Sequence, residues 1–197
     1  MRRLILGGSF NPIHHGHLIC ARAAAEQLGC DRVTLMPSAQ PPHKPESASL
    51  ASAADRRSMA RLAIANDPSF EIDDLEMQRS GPSYTLETAR ELIRRGAKTV
   101  HWLIGADMLM YLPKWHQPME LLREVHFVVI ARPGWVIDWE ALSPEFRHLR
   151  NNVVEAPLIN ISASDIRARV AAGKSIRYLT PDAVCEYIAQ RRLYSKL

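Results

Sequence analysis

The sequence predicts an α/β protein with a doubly wound parallel sheet and two C-terminal helices. Short apolar runs alternate with helix-like segments at intervals of roughly 30 residues, the pattern of a parallel sheet with helical crossovers. The best of these runs are apolar throughout instead of alternating, as expected for strands that helices cover on both faces. Polar or glycine-containing turns directly follow several runs, and such sheets bind ligands at the carboxyl ends of their strands.

The first half of the chain contains seven predicted elements. Leu4–Leu6 is a strand because it is short, apolar and followed by a glycine pair. The alanine-rich segment that follows is helical and stops at Gly29, a residue type that commonly ends helices. In order, we predict a strand at Leu4–Leu6, a helix at Leu18–Leu28, a strand at Val33–Met36, a loop at Pro37–Ser49, a helix at Ser52–Ala65, a strand at Phe70–Leu75 and a helix at Thr85–Arg95.

The second half continues the alternation and then ends in two helices. Thr180 is the expected N-cap of the last helix, with Pro181 at its first helical position. The predicted elements are strands at Thr99–Ile104, Val125–Ala131 and Asn152–Glu155, and helices at Trp139–Leu149, Asp165–Ala172 and Pro181–Arg192.

Composition narrows the class of protein. The 197 residues are 47% hydrophobic and 23% charged, which suits a single domain over residues 1–197. The cysteines Cys20, Cys30 and Cys185 are far apart and form no CxxC pattern, which argues against a disulfide framework and a structural zinc site. Without a transmembrane run or a secretory pattern, we expect a cytoplasmic protein with no membrane partner. The net charge of +4 suggests an anionic partner of unspecified kind.

A glycine- and histidine-rich segment, Gly7–Leu18, lies between the first strand and the first helix. Glycines let the backbone approach a phosphate, and a helix that opens near Gly16 aims unpaired N–H groups at the same place. The segment has neither the dinucleotide fingerprint nor the Walker loop. Because His14 and His17 are three residues apart, a helical turn puts both imidazoles on one side, where each can donate to an anionic oxygen. The alternatives are a metal site, with Asn11 as the one nearby oxygen ligand, or a merely structural histidine pair.

This segment resembles the HxGH motif of the nucleotidylyltransferase superfamily. The sequence of this segment is especially similar to the corresponding motif of the bacterial nicotinate-nucleotide adenylyltransferases, with Asn11 where that family commonly has Asp. Ile161–Arg167 resembles the family's ISSTxIR, with Ala163 in place of a serine. Independently of the resemblance, Ser162 and Ser164 can cap a helix. The N-terminus of that helix and the Arg167 guanidinium would together form a second anion site.

Further segments resemble this family more than its relatives. Pro41–Lys44 resembles the family's PPHK, which implies a lysine on a loop beside a polyphosphate. Gly81–Thr85 resembles the stretch that lines the family's pyridine pocket, although Ser83 or Thr85 could equally cap the next helix. Ile104–Asp107 and Pro113–His116 resemble its IGAD and KW segments.

The resemblance, which covers nearly the whole chain, implies a Rossmann-like fold of the nucleotidylyltransferase type and a reaction. AMP would pass from ATP to nicotinic acid mononucleotide, giving deamido-NAD and pyrophosphate, with Mg²⁺ bound through the ATP phosphates. The implied catalytic residues are His14, His17, Lys44 and Arg167. The implied ATP-binding residues are Gly7, Gly8, Ser9, Phe10, His14, His17, Lys44, Gly105, Asp107, Arg132, Ile161, Ser162, Ser164 and Arg167. The implied acceptor-binding residues are Ser9, Phe10, Lys44, Ser83, Tyr84, Thr85 and Trp115.

Other functions remain open from sequence. A pantetheine-phosphate or other adenylyltransferase would share the fold, but the Lys44 loop and the Lys114-Trp115 pair argue against it. A nucleotide-binding regulator without catalysis would not need both His14 and His17. A nucleic-acid-binding module would need basic residues interleaved with exposed aromatic ones, a pattern that few positions approach. We therefore expect no nucleic-acid partner, no dedicated metal ligands, and a monomer or homodimer.

Overall fold

A six-stranded sheet, parallel throughout, forms the centre of the molecule. The structure is a computed structural model that describes residues 2–42, 50–131 and 136–195. The strands are β1 (Arg3–Gly8), β2 (Arg32–Pro37), β3 (Phe70–Ile72), β4 (His101–Gly105), β5 (His126–Ile130) and β6 (Val153–Val154). Their order is β3-β2-β1-β4-β5-β6, with every neighbouring pair parallel. Because the order reverses between β1 and β4, the carboxyl ends of these two strands flank a ligand crevice. The predicted fold class is confirmed.

Seven α-helices within the described residues surround the sheet. They are α1 (His15–Gln27), α2 (Ala53–Ile64), α3 (Thr85–Arg94), α4 (Ala106–Leu109), α5 (Pro118–Glu124), α6 (Ala163–Ala171) and α7 (Asp182–Gln190). Short 3-10 helices occupy Leu75–Gln78, Leu112–Lys114 and Pro144–Asn152. The brief α4 and α5 were not predicted from the sequence. Among the described residues, no helix has both the length and the apolarity needed to span a bilayer.

The continuous apolar strands supply two separate cores, one on each face of the sheet. Leu4, Leu103 and Val128 point to one face, where they pack with residues of α1, α2, α6 and α7. Their chain neighbours Trp102 and Phe127 point to the other face, which α3, α4 and α5 help to cover. Side chains of a strand alternate between faces, so a strand covered on both must be apolar at every position.

Three sequence predictions are wrong in detail. The helix expected at Trp139–Leu149 is a 3-10 helix that begins later, at Pro144. The Asp138 carboxylate accepts from the N–H groups of residues 140 and 141, so the chain turns there instead of starting a helix. The strand expected at Phe70–Leu75 ends at Ile72, because Asp73 Oδ1 accepts from the Leu75 N–H at 2.9 Å and starts a 3-10 turn.

The third error concerns Thr180, which does not cap the last helix. Its hydroxyl donates to the Ile13 carbonyl at 2.7 Å, and Pro181 occupies the N-cap position of α7. Thr180 therefore ties the C-terminal region to the loop that follows β1, which places α7 close to the predicted site.

Candidate active site

A cavity of about 570 Å³ opens at the carboxyl end of the sheet, above β1 and β4. All the predicted site residues that lie within the described ranges line it, namely Gly7, Gly8, Ser9, Phe10, His14, His17, Ser83, Tyr84, Thr85, Gly105, Asp107, Trp115, Ile161, Ser162, Ser164 and Arg167. A smaller space of about 150 Å³ adjoins it and shares His14, His17, Ile161 and Ser162 with it. Lys44 and Arg132 lie outside the described residues.

The first motif leaves β1 through a tightly packed turn. Phe10 has a φ of 44°, a left-handed conformation that costs free energy for a residue with a side chain. Its ring is buried and packs against the His17 ring in a T-shaped arrangement, with centroids 5.4 Å apart and planes at 87°. The turn is therefore held in a strained shape that places an aromatic ring directly against a predicted catalytic histidine.

The two histidines of the motif stack on each other at the start of α1. His14 is the N-cap residue and His17 lies one turn later, with ring centroids 3.7 Å apart and planes at 25°. The structure thus confirms that both imidazoles lie on one side. The His14 backbone N–H donates to His17 Nδ1 at 3.3 Å. Because that Nδ1 accepts, a neutral His17 carries its proton on Nε2 and can donate it to a ligand oxygen.

Asn11 links the first motif to the C-terminal region. Its amide oxygen accepts from the Ala51 N–H at 3.1 Å and from the Tyr194 hydroxyl at 2.7 Å. Burial raises the pKa of Tyr194, so its hydroxyl stays protonated and remains a donor. An amide oxygen serves both donors without the buried negative charge that an aspartate would bring.

The second motif forms the N-terminus of α6 and touches the first. Ser162 is the N-cap residue, and its hydroxyl accepts from the Asp165 N–H at 3.1 Å. Ser164 lies beside it, with the two hydroxyl oxygens 2.9 Å apart. Arg167 donates from Nη1 to the Asn11 carbonyl at 2.8 Å. Motifs 156 residues apart in sequence therefore share one wall of the cavity.

The opposite wall is made by the start of α3 and the segment after α4. Ser83 does not cap α3, because its hydroxyl accepts from the N–H groups of Ala39 and Gln40 at 3.1 and 3.3 Å. Tyr84 takes the N-cap position without a side-chain capping bond, and Thr85 begins the helix. The expectation that Ser83 or Thr85 caps this helix is wrong. Within the described residues, no side-chain capping bond is made at the N-cap of α3, and Tyr84 and Thr85 at this end of the helix line the cavity.

Aromatic rings pack in the same wall. The Tyr84 ring stacks on the His116 imidazole with centroids 4.2 Å apart and planes at 18°. The neighbouring Trp115 packs edge-to-face against Phe127 at 6.2 Å and 79°, which anchors the indole to the core. These rings offer apolar faces to a planar ligand.

Glu76 was missed by the sequence reasoning. It is only 3% exposed, lines the larger cavity, and accepts from the Thr88 hydroxyl at 2.7 Å. Burial raises its pKa to about 7, opposed by hydrogen bonds from Thr88 and Ser83 and by the charge of Arg79. A lone glutamate in a polar stretch carries no signal in sequence, because its burial depends on the later segment that covers it.

Arg56 was also missed. Its side chain is 1% exposed and donates to four backbone carbonyls around the cavity, at Ser9, Ser38, Ala39 and Ala51. A signal did exist. Met59 and Ala60 are buried on the same helix, so Arg56 lies at the helical spacing of an inward-facing residue.

The carboxyl groups of the cavity do not form a metal cage. Within the described parts of the chain, no three His, Cys, Asp or Glu side chains come together as a metal site. Asp107 in α4 lines the cavity and could contact an ion carried in by a ligand. Magnesium is usually held by one or two carboxylates together with substrate phosphates, and the donors present fit that mode.

Comparison with known proteins places this geometry in a class. A family model described as cytidylyltransferase-like matches residues 5–169. The fold also matches the Plasmodium falciparum nicotinic acid mononucleotide adenylyltransferase complexed with NaAD, with a TM-score of 0.77, 20% identity and 98% of each chain covered. The fold and the family match together define a cytidylyltransferase-like nucleotidyltransferase.

Curated relatives narrow the class. The chain is 45% identical to the probable nicotinate-nucleotide adenylyltransferase of Synechococcus sp. (strain JA-3-3Ab), covering 96% of this chain and 93% of that one. It is 42% identical to the protein of the same description from Herpetosiphon aurantiacus, covering 96% of both chains. The chain belongs to the nicotinate-nucleotide adenylyltransferase family.

Proposed function

We propose that the protein transfers AMP from ATP to nicotinic acid mononucleotide, forming nicotinic acid adenine dinucleotide and pyrophosphate in NAD biosynthesis. One observation carries the proposal: the stacked His14 and His17 and the Ser162–Arg167 segment share one wall of a cavity whose opposite wall holds Thr85 and Trp115. Two anion sites on one side and an aromatic pocket on the other suit a triphosphate and a pyridine nucleotide.

The chemistry needs positioning more than activation. An oxygen of the acceptor phosphate attacks the α-phosphorus of ATP, a new P–O bond forms, and the bond from the α-phosphorus to the bridging oxygen breaks. Pyrophosphate leaves with that oxygen and its electron pair. The attacking phosphate is already anionic, so no covalent intermediate is needed, and the barrier is lowered by alignment and by charge stabilisation.

The histidine pair would stabilise charge on the α- and β-phosphates. With Nδ1 accepting from the His14 backbone, the Nε2–H of His17 would donate to a phosphate oxygen. Contacts with the Phe10 ring and the stacked His14 ring would limit rotation of the imidazole. A donor fixed before the reaction begins costs no reorganisation as charge develops in the transition state.

The leaving pyrophosphate would lie at the N-terminus of α6. Its N–H groups and the Arg167 guanidinium both favour negative charge there. The bond from Arg167 to the Asn11 carbonyl fixes the guanidinium at the junction of the two motifs. Lys44 and Arg132, named from the sequence, would add cationic contacts to the phosphates and to ATP. Mg²⁺ bound to the phosphates would neutralise part of their charge.

The adenosine half of ATP would occupy the smaller space beside the histidines. Its lining includes the apolar Ile130 and Ile159 and the backbone of Gly105 at the end of β4. Asp107, two residues further along and in the lining of the larger cavity, would accept from a ribose hydroxyl. Apolar side chains next to the phosphate site suit an adenine ring.

The pyridine ring of the acceptor would lie against Trp115. Its carboxylate would accept from the N–H groups at the start of α3, near Thr85, where no side chain caps the helix. A carboxylate only accepts hydrogen bonds, whereas a carboxamide also presents an N–H₂ group that would face these donors. The pocket therefore favours nicotinic acid mononucleotide over nicotinamide mononucleotide.

The reaction can be tested by following two labels. Label in the α-phosphate of ATP should appear in the dinucleotide, and label in the γ-phosphate should appear in pyrophosphate. Transfer of γ-label to the acceptor would identify a kinase and contradict the proposal. We further propose a cytoplasmic enzyme, active as a monomer or homodimer without nucleic acid, which size-exclusion chromatography and salt-dependent oligonucleotide binding would check.

A further inference from the structure

Arg56 is the largest fully buried side chain of the described residues. Burial lowers the pKa of its guanidinium, yet no carboxylate within the described ranges forms an ion pair with it. Backbone carbonyls satisfy it instead. Nε donates to Ala51 at 3.0 Å, Nη1 to Ser9 at 2.8 Å and to Ser38 at 2.6 Å, and Nη2 to Ala39 at 2.9 Å.

These four carbonyls belong to three separate segments around the cavity. Ser9 is part of the first motif after β1, and Ser38–Ala39 directly follow β2. Ala51 precedes α2, and its own N–H donates to the Asn11 side chain. The segment after β2 is held from its other side too, because the Ser83 hydroxyl accepts from the Ala39 N–H. Arg56 and Ser83 thus clamp one segment between the phosphate side and the acceptor side.

Burial of a cation is less favourable than burial of an apolar side chain of similar size. Burying an unpaired charge is strongly unfavourable unless its hydrogen bonds are complete, and apolar residues of similar volume often give equal or greater stability. The planar guanidinium offers five N–H donors in a rigid fork, so it can fix several acceptors relative to one another. Its positive charge also lies below the loop that would hold phosphates. These properties match a positioning role better than a packing role.

We propose that Arg56 is a positioning residue for the adenylyl transfer. It holds the Ser9 backbone against the Ser38–Ala39 backbone and thereby sets the distance between the α-phosphate of ATP and the phosphate of the acceptor. The inference rests on the proposed function. Because the proposed role concerns alignment within the folded enzyme, a substitution of Arg56 should lower the activity per folded molecule and not only the amount of folded protein.

The test compares Arg56→Lys with Arg57→Lys. Lysine keeps the charge but has a single nitrogen, which cannot reach all four carbonyls. Arg57 is the matched control because it is on the same helix, is partly exposed and pairs with Asp74 at 3.5 Å. For Arg56→Lys we expect kcat/KM per folded molecule to fall by about tenfold to a hundredfold, with kcat itself reduced, as misplacement by an ångström would produce. Arg57→Lys should behave like the wild type.

A rescue experiment covers the case in which substitution also weakens folding. Arg56→Ala leaves a cradle of four carbonyls that free guanidinium can occupy. Millimolar guanidinium chloride should restore activity in a saturable way, whereas the wild type and Arg57→Ala should show no gain. Far-UV circular dichroism and the Tm of each variant give the folded fraction used for normalisation.

The outcomes separate this inference from the proposed function. If the wild type releases no pyrophosphate with nicotinic acid mononucleotide, the proposed function fails. If the wild type is active and Arg56→Lys has unchanged kcat and KM per folded molecule, Arg56 is only a structural residue and the inference is wrong. A loss of kcat that guanidinium reverses in Arg56→Ala supports it.

Discussion

The indole of Trp102 fills the space that a β-carbon on Gly7 would need. An added β-carbon would lie 2.4 Å from Cζ2 of this ring, and Trp102 is 3% exposed in β4, so the ring cannot easily move away. β1 and β4 are direct neighbours, with Ile5 opposite Trp102. The missing side chain at position 7 therefore lets a large aromatic residue pack against the start of the Gly7–Leu18 segment.

Gly7→Ala should destabilise the protein through this contact. Overpacking of a tight core commonly costs about 1–3 kcal/mol, and we expect a decrease of that size in the free energy of unfolding measured by urea titration. Trp102→Phe in the same background should recover part of the loss. If the changes in the free energy of unfolding of the two single variants simply add in the double variant, Gly7 does not pack directly against Trp102.

His17→Ala should affect turnover far more than ATP binding. The Nε2–H of His17 is proposed to stabilise charge that develops at phosphorus, and loss of such a donor costs on the order of 10²–10³-fold in kcat. The dissociation constant for ATP, measured by calorimetry, should change much less. His15→Ala is the control, since it removes an adjacent imidazole that lies outside the cavity lining. A kcat near that of the wild type in His17→Ala would refute the assigned role.

Trp115→Ala should raise the KM for nicotinic acid mononucleotide and leave the KM for ATP nearly unchanged. Stacking of a base on an aromatic side chain contributes about 1–3 kcal/mol, so the KM should rise by roughly tenfold or more. Trp115→Phe keeps an aromatic face and should lose less. Equal increases in both KM values would show that the indole supports the whole cavity and not the acceptor alone.

Glu76→Gln should change how stability depends on pH. The pKa of Glu76 is raised from 4.5 to about 7 in the folded protein, so its protonated form is favoured there. Its contribution to stability is complete below pH 4.5 and is lost as the pH rises through 7, a change on the order of 3 kcal/mol.

Glutamine stays neutral and can still accept from Thr88, so the variant should gain stability relative to the wild type between pH 5.5 and 8.5. Urea titrations across this range measure the difference. The partly exposed Glu87→Gln is the control, because it makes the same chemical change at a residue that pairs with Arg90 outside the cavity lining. A flat difference for Glu76→Gln would mean that the carboxyl group ionises normally.

Much of the fold could be predicted because it depends on local patterns. Leu4–Leu6 and Trp102–Ile104 are apolar at every position, which is the pattern of a strand that is covered on both faces. The 3-10 helix at Pro144–Asn152 was mistaken for an α-helix because its apolar residues, Phe146 and Leu149, suit both kinds of helix. The turn at Asp138 decided between the two, and it depends on geometry that sequence does not display.

The pairing of the two histidines could be predicted because it depends on local geometry. His14 is the N-cap residue of α1 and His17 is its third helical residue, so the start of one helix brings their rings together. Arg56 and Glu76 depend on what covers them. Two of the three segments whose carbonyl groups accept from Arg56 are distant from it in sequence. Glu76 is buried where Ser83, seven residues later, donates to its carboxylate. Charged residues are usually exposed, so nothing in the sequence singled out either residue as buried.

Pyrophosphate release is the most direct measurement of the proposed reaction. The assay supplies ATP and Mg²⁺ with one of three acceptors: nicotinic acid mononucleotide, nicotinamide mononucleotide or phosphopantetheine. We predict the highest kcat/KM with nicotinic acid mononucleotide, a lower value with nicotinamide mononucleotide, and no release above background with phosphopantetheine. Equal values for the two mononucleotides would contradict the acid-selective pocket at Thr85. Release with phosphopantetheine alone would contradict the proposed function itself.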